Sequence, residues 1–182
     1  RCSAITALGA GGEAAAREMA RRLNDPDQAV RACAIRAAGE SKNGFAVEGL
    51  LANIDGYQSA RGNKGLYEDG IKARLKVIDS IWSLGEIGDP GLMDKFAKVY
   101  TESDDIIKIN LIVGMGKLKK SEKAGPYIYN IAADVKETEV VRAAAYEMLE
   151  HLGSPAPAAS RSASVGMEKG DLIFTGGIVG TV

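Results

Sequence analysis

The residues best suited to bind a ligand lie in one glycine-rich stretch, residues 56–69. It carries two aromatic and two basic side chains, Tyr57, Arg61, Lys64 and Tyr67, among glycines with a Gly-x-x-Gly spacing. That spacing beside cations is typical of loops that clamp an RNA backbone. The surrounding sequence lacks the other signals of such a module. The stretch is therefore predicted to be an insertion loop that packs on its neighbour or binds a protein partner.

A second basic stretch has lysines at positions 117, 119, 120 and 123, directly after a Gly-Met-Gly turn. A phosphate-binding loop would need a preceding strand and a Ser or Thr to hold magnesium, and the sequence has neither here. The lysines stand near the C-terminus of a predicted helix, where positive charge is favourable. We interpret them as structural.

Catalytic, cofactor and metal sites are not predicted. The single histidine cannot form a His-based metal site or a conventional relay without unusual partners. The two cysteines, Cys2 and Cys33, occupy similar positions on neighbouring predicted helices, and we expect both to be small buried residues, free and reduced. Free cysteines favour a cytoplasmic location. Because the chain starts at Arg1 inside a predicted helix, we expect it to be N-terminally incomplete, which leaves export open.

Composition restricts the fold class and the partners. The chain has 182 residues, 46% hydrophobic but only 5% aromatic, so its core must be built from small side chains packed closely. Helix-on-helix packing suits such a core, and the fold class is predicted to be all-α. A net charge of -1 argues against nucleic acid as the partner. The longest apolar runs are too short for a membrane span, and no small-molecule substrate is evident.

A repeat dominates the chain. The unit is a β-branched residue, then Arg or Lys, then a small-rich helical run that closes on glycine. Copies begin at Val30-Arg31, Ile107-Lys108 and Val141-Arg142, with a remnant at Arg1 and a copy slipped by one position at Leu75-Lys76. The basic residue is predicted to pair with an acid or cap carbonyl groups in the adjacent repeat. The glycines at 9, 39, 85 and 153 are predicted to be helix C-caps with positive φ.

These motifs resemble HEAT repeats, most closely the short bacterial type also found in phycobilin lyase subunits. The resemblance rests on Val-Arg-x-x-Ala-Ile-x-Ala-x-Gly at 30–39, Asn-Asp-Pro-Asp at 24–27 and Leu-Gly-Glu-Ile-Gly-Asp-Pro at 84–90. It covers residues 1 to about 153. It implies a right-handed α-solenoid of about 4.5 helix-turn-helix repeats, in which stacked neighbours bury a continuous core.

Three segments follow from this pattern. Residues 1–153 are predicted to form the solenoid, residues 154–165 a Pro/Ala/Ser linker, and residues 166–182 a hydrophobic, glycine-rich docking peptide with an extended, β-prone conformation. We expect the peptide to dock on a partner by strand addition. Its predicted contact residues are Leu172, Ile173, Phe174, Ile178 and Val179.

The leading functional hypothesis is a non-enzymatic scaffold or adaptor within a larger protein assembly. A lyase-like subunit that acts on a chromophore-bearing protein is the alternative, motivated by the repeat subclass alone. The third hypothesis is a nucleic-acid-binding solenoid that uses Arg61, Lys64 and the lysines of residues 117–123. Repeats of this type serve all these roles, so the resemblance implies the fold more strongly than the function.

Overall fold

The structure, a computed structural model, describes residues 2–9, 11–60, 67–118 and 122–157, and most of them are helical. These residues form nine α-helices and three short 3-10 helices, with no β-strand among them. The all-α prediction is confirmed for this part of the chain. The docking peptide at 166–182 and most of the predicted linker lie outside the described residues.

The helices follow the predicted order, and short turns join most of them. They are α1 (Cys2–Gly9), α2 (Gly12–Arg21), α3 (Gln28–Glu40), α4 (Val47–Ala60), α5 (Tyr67–Ile87), α6 (Met93–Thr101), α7 (Asp105–Lys117), α8 (Ala124–Ala133) and α9 (Glu139–His151). The basic signature lies in α3, α5, α7 and α9, and the even-numbered helices are the predicted partners.

Aspartates start several of these helices. The Asp27 carboxylate accepts hydrogen bonds from the amides of Ala29 and Val30 at the start of α3, and Asp104 accepts one from Ile107 at the start of α7. Asp89 precedes the 3-10 helix Pro90–Leu92 and accepts from the Gly91 amide. Each carboxylate satisfies amides that have no partner within the helix, so the Asp-Pro and Asp-Asp signals mark real helix starts.

The odd-numbered helices pack side by side in chain order. α1 packs on α3, α3 on α5, α5 on α7 and α7 on α9. Each even-numbered helix packs on at least one odd-numbered neighbour, and the apolar side chains of both sets join in one core cluster. Its largest fully buried side chains include Phe96, Met19, Leu50, Ile81 and Leu111. Several apolar residues of the odd-numbered helices are nevertheless exposed.

The predicted positive φ is wrong for three of the four glycines. Gly9 is the last residue of α1, whereas Gly39 and Gly85 lie inside α3 and α5, and all three lack positive φ. The glycine with φ +72° after α5 is Gly88, and Gly153 has the predicted positive φ of +64°. A Cβ on Gly39 would lie 2.7 Å from the Cα of Ser83, and one on Gly85 would lie 3.2 Å from the Cα of Gly114. These glycines allow neighbouring odd helices to touch through their backbones.

The predicted loop at 56–69 is mostly helix. α4 continues to Ala60 and α5 begins at Tyr67, so helices occupy both ends of the stretch and residues 61–66 lie outside the described part of the chain. Tertiary packing explains the difference: Tyr57 packs on the core, and its hydroxyl lies 3.4 Å from Nε of Arg74 on α5. Such contacts hold a glycine-containing segment in a helix that its composition alone disfavours.

The prediction of a free, reduced Cys33 is also wrong, because Cys33 is disulfide-bonded in the structure. The second cysteine of the chain, Cys2, lies in α1, which packs directly on α3, and its side chain is outside the described residues. Similar positions on neighbouring repeats are brought close when the helices pack side by side. The argument for a cytoplasmic location from free cysteines therefore loses its basis.

Candidate functional site

The longest helix of the row creates a groove. α5 has 21 residues, whereas α3, α7 and α9 have 13 each. When Gly39 and Gly85 are aligned, the extra length falls at the N-terminal end of α5. It amounts to about two helical turns. The start of α5 therefore projects beyond the start of α3, and a step forms between the two helices.

An open groove of about 490 Å³ lies along this step, and we call it the α3/α5 groove. α3 contributes four residues and α5 contributes five. The lining residues are Gln28, Arg31, Ala32 and Ile35 from α3, and Lys72, Ala73, Leu75, Lys76 and Asp79 from α5. Three of them are cationic and one is acidic, so the lining carries a positive excess.

The cations of the groove differ in their surroundings. The Arg31 guanidinium donates hydrogen bonds to the carbonyl oxygens of Asp25 and Pro26, at 2.6 and 3.0 Å, and both acceptors are neutral. Lys76 is half-buried, and its ammonium has no hydrogen bond or ion pair with the described residues. Burial, and then the positive charge of Arg31, lower the pKa of Lys76. An anion bound in the groove would stabilise the charged ammonium and so oppose both effects on the pKa of Lys76.

The acid of the groove, Asp79, is half-buried. Burial raises the pKa of its carboxyl, and the positive charge of Arg36 opposes this effect. Asp79 stands one turn after Lys76 on α5, so the positive end of the groove is the end nearer Arg31 and Lys72.

Several cations outside the groove are paired with acids of the neighbouring repeat. Lys108 donates to both carboxylate oxygens of Glu137, at 2.9 and 2.8 Å. This agrees with the predicted structural role of the signature cation. Further pairs between repeats are Arg74 with Asp104, Lys95 with Asp55, Lys117 with Glu86 and Lys123 with Asp94. Among the side chains that the structure describes, no carboxylate pairs with Lys76 in the α3/α5 groove.

A row of exposed apolar side chains runs from α5 across α7 to α9. Leu75, Ile106 and Val140 are 46%, 48% and 54% exposed, and they occupy equivalent positions in their repeats. Ile71, 44% exposed, extends the row by one turn on α5. We call these four residues the apolar row. Adjacent packed helices lie about 8–10 Å apart, so we expect side chains at equivalent positions of these neighbouring helices to lie side by side.

α7 carries the central member of the apolar row. Its inner face buries Ile107, Leu111 and Met115, and Ile109 also packs on the core, whereas Ile106 is 48% exposed. Ile106 is therefore the large apolar side chain of α7 that solvent reaches most.

A second group of titratable residues lies where α6, α7 and α8 meet. Burial, and then the negative charge of Glu137, raise the pKa of Tyr100. The Tyr100 ring stands edge-on to Tyr127 and lies 5.0 Å from the Lys108 ammonium, while its hydroxyl has no hydrogen bond with described residues. The ion pair and the rings of this group pack repeats together.

The sequence-predicted site residues are placed only in part. Tyr57 lies in α4, half-buried against the core, and Tyr67 is the first residue of α5. Arg61, Lys64 and the predicted contact residues of the docking peptide lie outside the described residues. Sequence reasoning missed the α3/α5 groove, although the slipped repeat copy at Leu75-Lys76 was a signal for it.

Within the described residues, no group of three or more His, Cys, Asp or Glu side chains could hold a metal ion. Among the same residues, no helix has the length and apolar character needed to cross a bilayer. No protein-family model, curated protein or solved structure shows a significant match to the chain. Function is therefore inferred from the residues and their geometry.

Proposed function

We propose that this chain is an α-solenoid of HEAT-like repeats that serves as a scaffold or adaptor and binds a protein partner through the outer side of its odd-numbered helices. The side-by-side packing of these helices in chain order supports the solenoid. The apolar row supports a docking surface, and it is the single observation that carries the proposal.

Contact with a protein partner would stabilise the apolar row because it would remove apolar side chains from water. Full burial of a Leu, Ile or Val side chain contributes about 1.5–3 kcal/mol. The side chains of the row are about half exposed, so each retains roughly half of that gain for a partner. Neighbouring cations on the groove side would add orientation and a faster association rate more than affinity.

The direct test is recovery of the assembly. The full-length chain carries a tag, is expressed in its natural host and is isolated under native conditions for mass measurement. We expect a defined, stoichiometric complex for the wild type and its loss in the triple variant Leu75→Ser, Ile106→Ser, Val140→Ser. The matched control is Val135→Ser, an 84% exposed valine in the turn before α9. A monomer in every sample would contradict the proposal.

Deletion of residues 166–182 examines the second predicted contact in the same assay. Strand addition by the docking peptide predicts a weaker complex after the deletion. An unchanged complex in the deletion, together with its loss in the triple variant, would assign binding to the helical part alone.

The nucleic-acid hypothesis has less support from the described residues. Lys117 pairs with Glu86 and Lys123 pairs with Asp94, so acids of the same chain compensate two of the four lysines it invoked. Phosphate contacts need cations that are available to the polyanion. The lyase-like alternative stays a hypothesis based on the repeat subclass, and pigment transfer to a candidate acceptor would be its readout.

A further inference from the structure

We propose that the α3/α5 groove binds an acidic segment of the partner protein, with one carboxylate placed between Lys76 and Arg31 and an adjacent apolar side chain on Leu75. The inference rests on the proposed adaptor function and adds the chemistry of the partner. It follows from the shape of the groove, from the neighbouring positive charges of Arg31 and Lys76, and from its position beside the apolar row.

The shape favours a peptide side chain over a bulkier ligand. The groove is an open furrow between two helices, and its floor and walls carry the short apolar side chains of Ala32, Ile35 and Ala73. A Glu or Asp side chain has an apolar stem and a charged end, which matches apolar walls with cations beside them. An extended or helical segment can lie along the furrow and continue onto Leu75.

The charge arrangement favours an anion. Lys76 is half-buried without an acidic partner among the described residues, whereas Arg74 and Lys108 of the odd-numbered helices pair with Asp104 and Glu137. A half-buried cation beside a second cation is unfavourable for folding, so stability alone does not explain both charges. Charged groups placed at a cost to stability are common at functional sites.

A carboxylate suits this site better than a polynucleotide. The lining offers one short cluster of cations, with Asp79 at one end, rather than a track of phosphate-spaced cations. Nucleic-acid affinity depends on several phosphate contacts in succession, whereas one carboxylate can be bound by two cations.

The groove and the apolar row also share a residue. Leu75 lines the groove and belongs to the row. A partner helix with acidic residues on one side and apolar residues on the next would use both surfaces at once. Such amphipathic helices commonly dock on hydrophobic grooves.

The experiment uses the full chain and two fluorescein-labelled synthetic peptides. Both have the same pattern of leucines on an amphipathic helix, and their polar positions are Glu in one and Gln in the other. Fluorescence anisotropy at low and at moderate salt gives the Kd of each. We expect the Glu peptide to bind more tightly, with a difference that shrinks as salt rises.

Three variants locate the binding. Lys76→Gln is expected to weaken the Glu peptide by about 5–10-fold, the loss typical of one charged contact. Lys98→Gln, a change at an exposed lysine of α6, is the matched control and leaves the Kd unchanged. Asp79→Asn removes the acid of the groove and is expected to tighten binding. The melting temperature of Lys76→Gln should equal or exceed that of the wild type, so lost binding would not reflect unfolding.

Several results would overturn the inference. These are equal binding of the Glu and Gln peptides, equal losses in Lys76→Gln and Lys98→Gln, or a single-stranded oligonucleotide that binds more tightly with the same dependence on Lys76. Self-association of the chain that Lys76→Gln abolishes would assign the groove to a second copy instead. If the natural complex is lost in the apolar-row variant but kept in Lys76→Gln, the adaptor proposal stands and the acidic partner is refuted.

Discussion

Substitution of Gly39 by alanine tests how closely the odd-numbered helices approach. A Cβ at this position would lie 2.7 Å from the Cα of Ser83 and 2.9 Å from its Oγ, whereas carbon atoms pack at about 3.5–4.0 Å. α3 and α5 would have to separate locally by roughly 1 Å. The obstacle is backbone, so no side-chain rotation can relieve it.

The expected cost combines three effects. Overpacking of a core costs about 1–3 kcal/mol. Separation of the helices would also weaken the buried hydrogen bond from Ser83 Oγ to the Ile35 carbonyl, 2.8 Å long, which is worth about 1 kcal/mol. Alanine gains about 1 kcal/mol over glycine from helix propensity. The net loss for Gly39→Ala is therefore about 1–3 kcal/mol, or a fall in Tm of roughly 3–9 °C at about 3 °C per kcal/mol for a chain of this size.

The assay is thermal and urea unfolding followed by circular dichroism, with two comparison variants. Gly56→Ala in α4 meets no atom within 4 Å and is expected to stabilise the protein by about 0.5–1 kcal/mol. A Cβ on Gly116 would instead overlap the side chain of Met148, so Gly116→Ala should be largely rescued by Met148→Ala. A rise in Tm for Gly39→Ala similar to that of Gly56→Ala would refute the close backbone contact.

The remaining predictions concern charge and the disulfide. Glu137→Gln removes the carboxylate that pairs with the Lys108 ammonium, at a site where both side chains are less than 20% exposed, and should lower the unfolding free energy by about 1–3 kcal/mol. Asp94→Asn, in an exposed ion pair, should change the unfolding free energy by less than about 0.5 kcal/mol. Equal effects of the two substitutions would contradict this prediction. Asp79 has a folded-state pKa above its ordinary 3.8, so its charge destabilises the fold at neutral pH, and this penalty is relieved as pH falls through the raised pKa. Asp79→Asn should therefore be more stable than the wild type at pH 7, with a difference that vanishes near pH 3.8 in urea titrations; a constant difference would be the contrary result. Reduction of the Cys33 disulfide should lower the wild-type Tm, corresponding to a loss of about 2–4 kcal/mol in the unfolding free energy. The same treatment should leave the Tm of Cys33→Ser unchanged. An unchanged wild-type Tm would exclude a stabilising disulfide.

The sequence predicted the helices well because their signals are local. Asp104 and Asp89 mark helix starts by capping amides, and the recurring buried Val30, Ile107 and Val141 mark the inner face of each odd helix. A cap depends on a few neighbouring residues, and the buried face of a helix depends on the spacing of apolar residues along that helix. Both can be read from a single chain.

The glycines and the insertion could not be predicted in the same way because they depend on neighbours. Gly39 resembles a C-cap in sequence, but its role is set by Ser83, which lies on the next odd helix. The ends of the 56–69 stretch are helical because Tyr57 and Arg74 meet across α4 and α5. The local composition of each segment cannot predict these contacts, because they involve residues from another helix.

The candidate site was missed for a related reason. The α3/α5 groove exists because α5 starts about two turns earlier than its neighbours, and the sequence shows only a wide gap between repeat copies. Lys76 appeared as a displaced copy of the signature cation. That no described acid pairs with it follows from the packing of α3 against α5 and cannot be read from its own segment.

Hydrogen exchange on the natural complex tests the central claim most directly. Amide exchange is measured on the full chain, free and bound to the partner isolated with it. The account predicts slower exchange on binding in the first half of α5 and in α7 and α9, next to the apolar row and the α3/α5 groove, with little change in α2, α6 and α8. Protection confined to the even-numbered helices would contradict it.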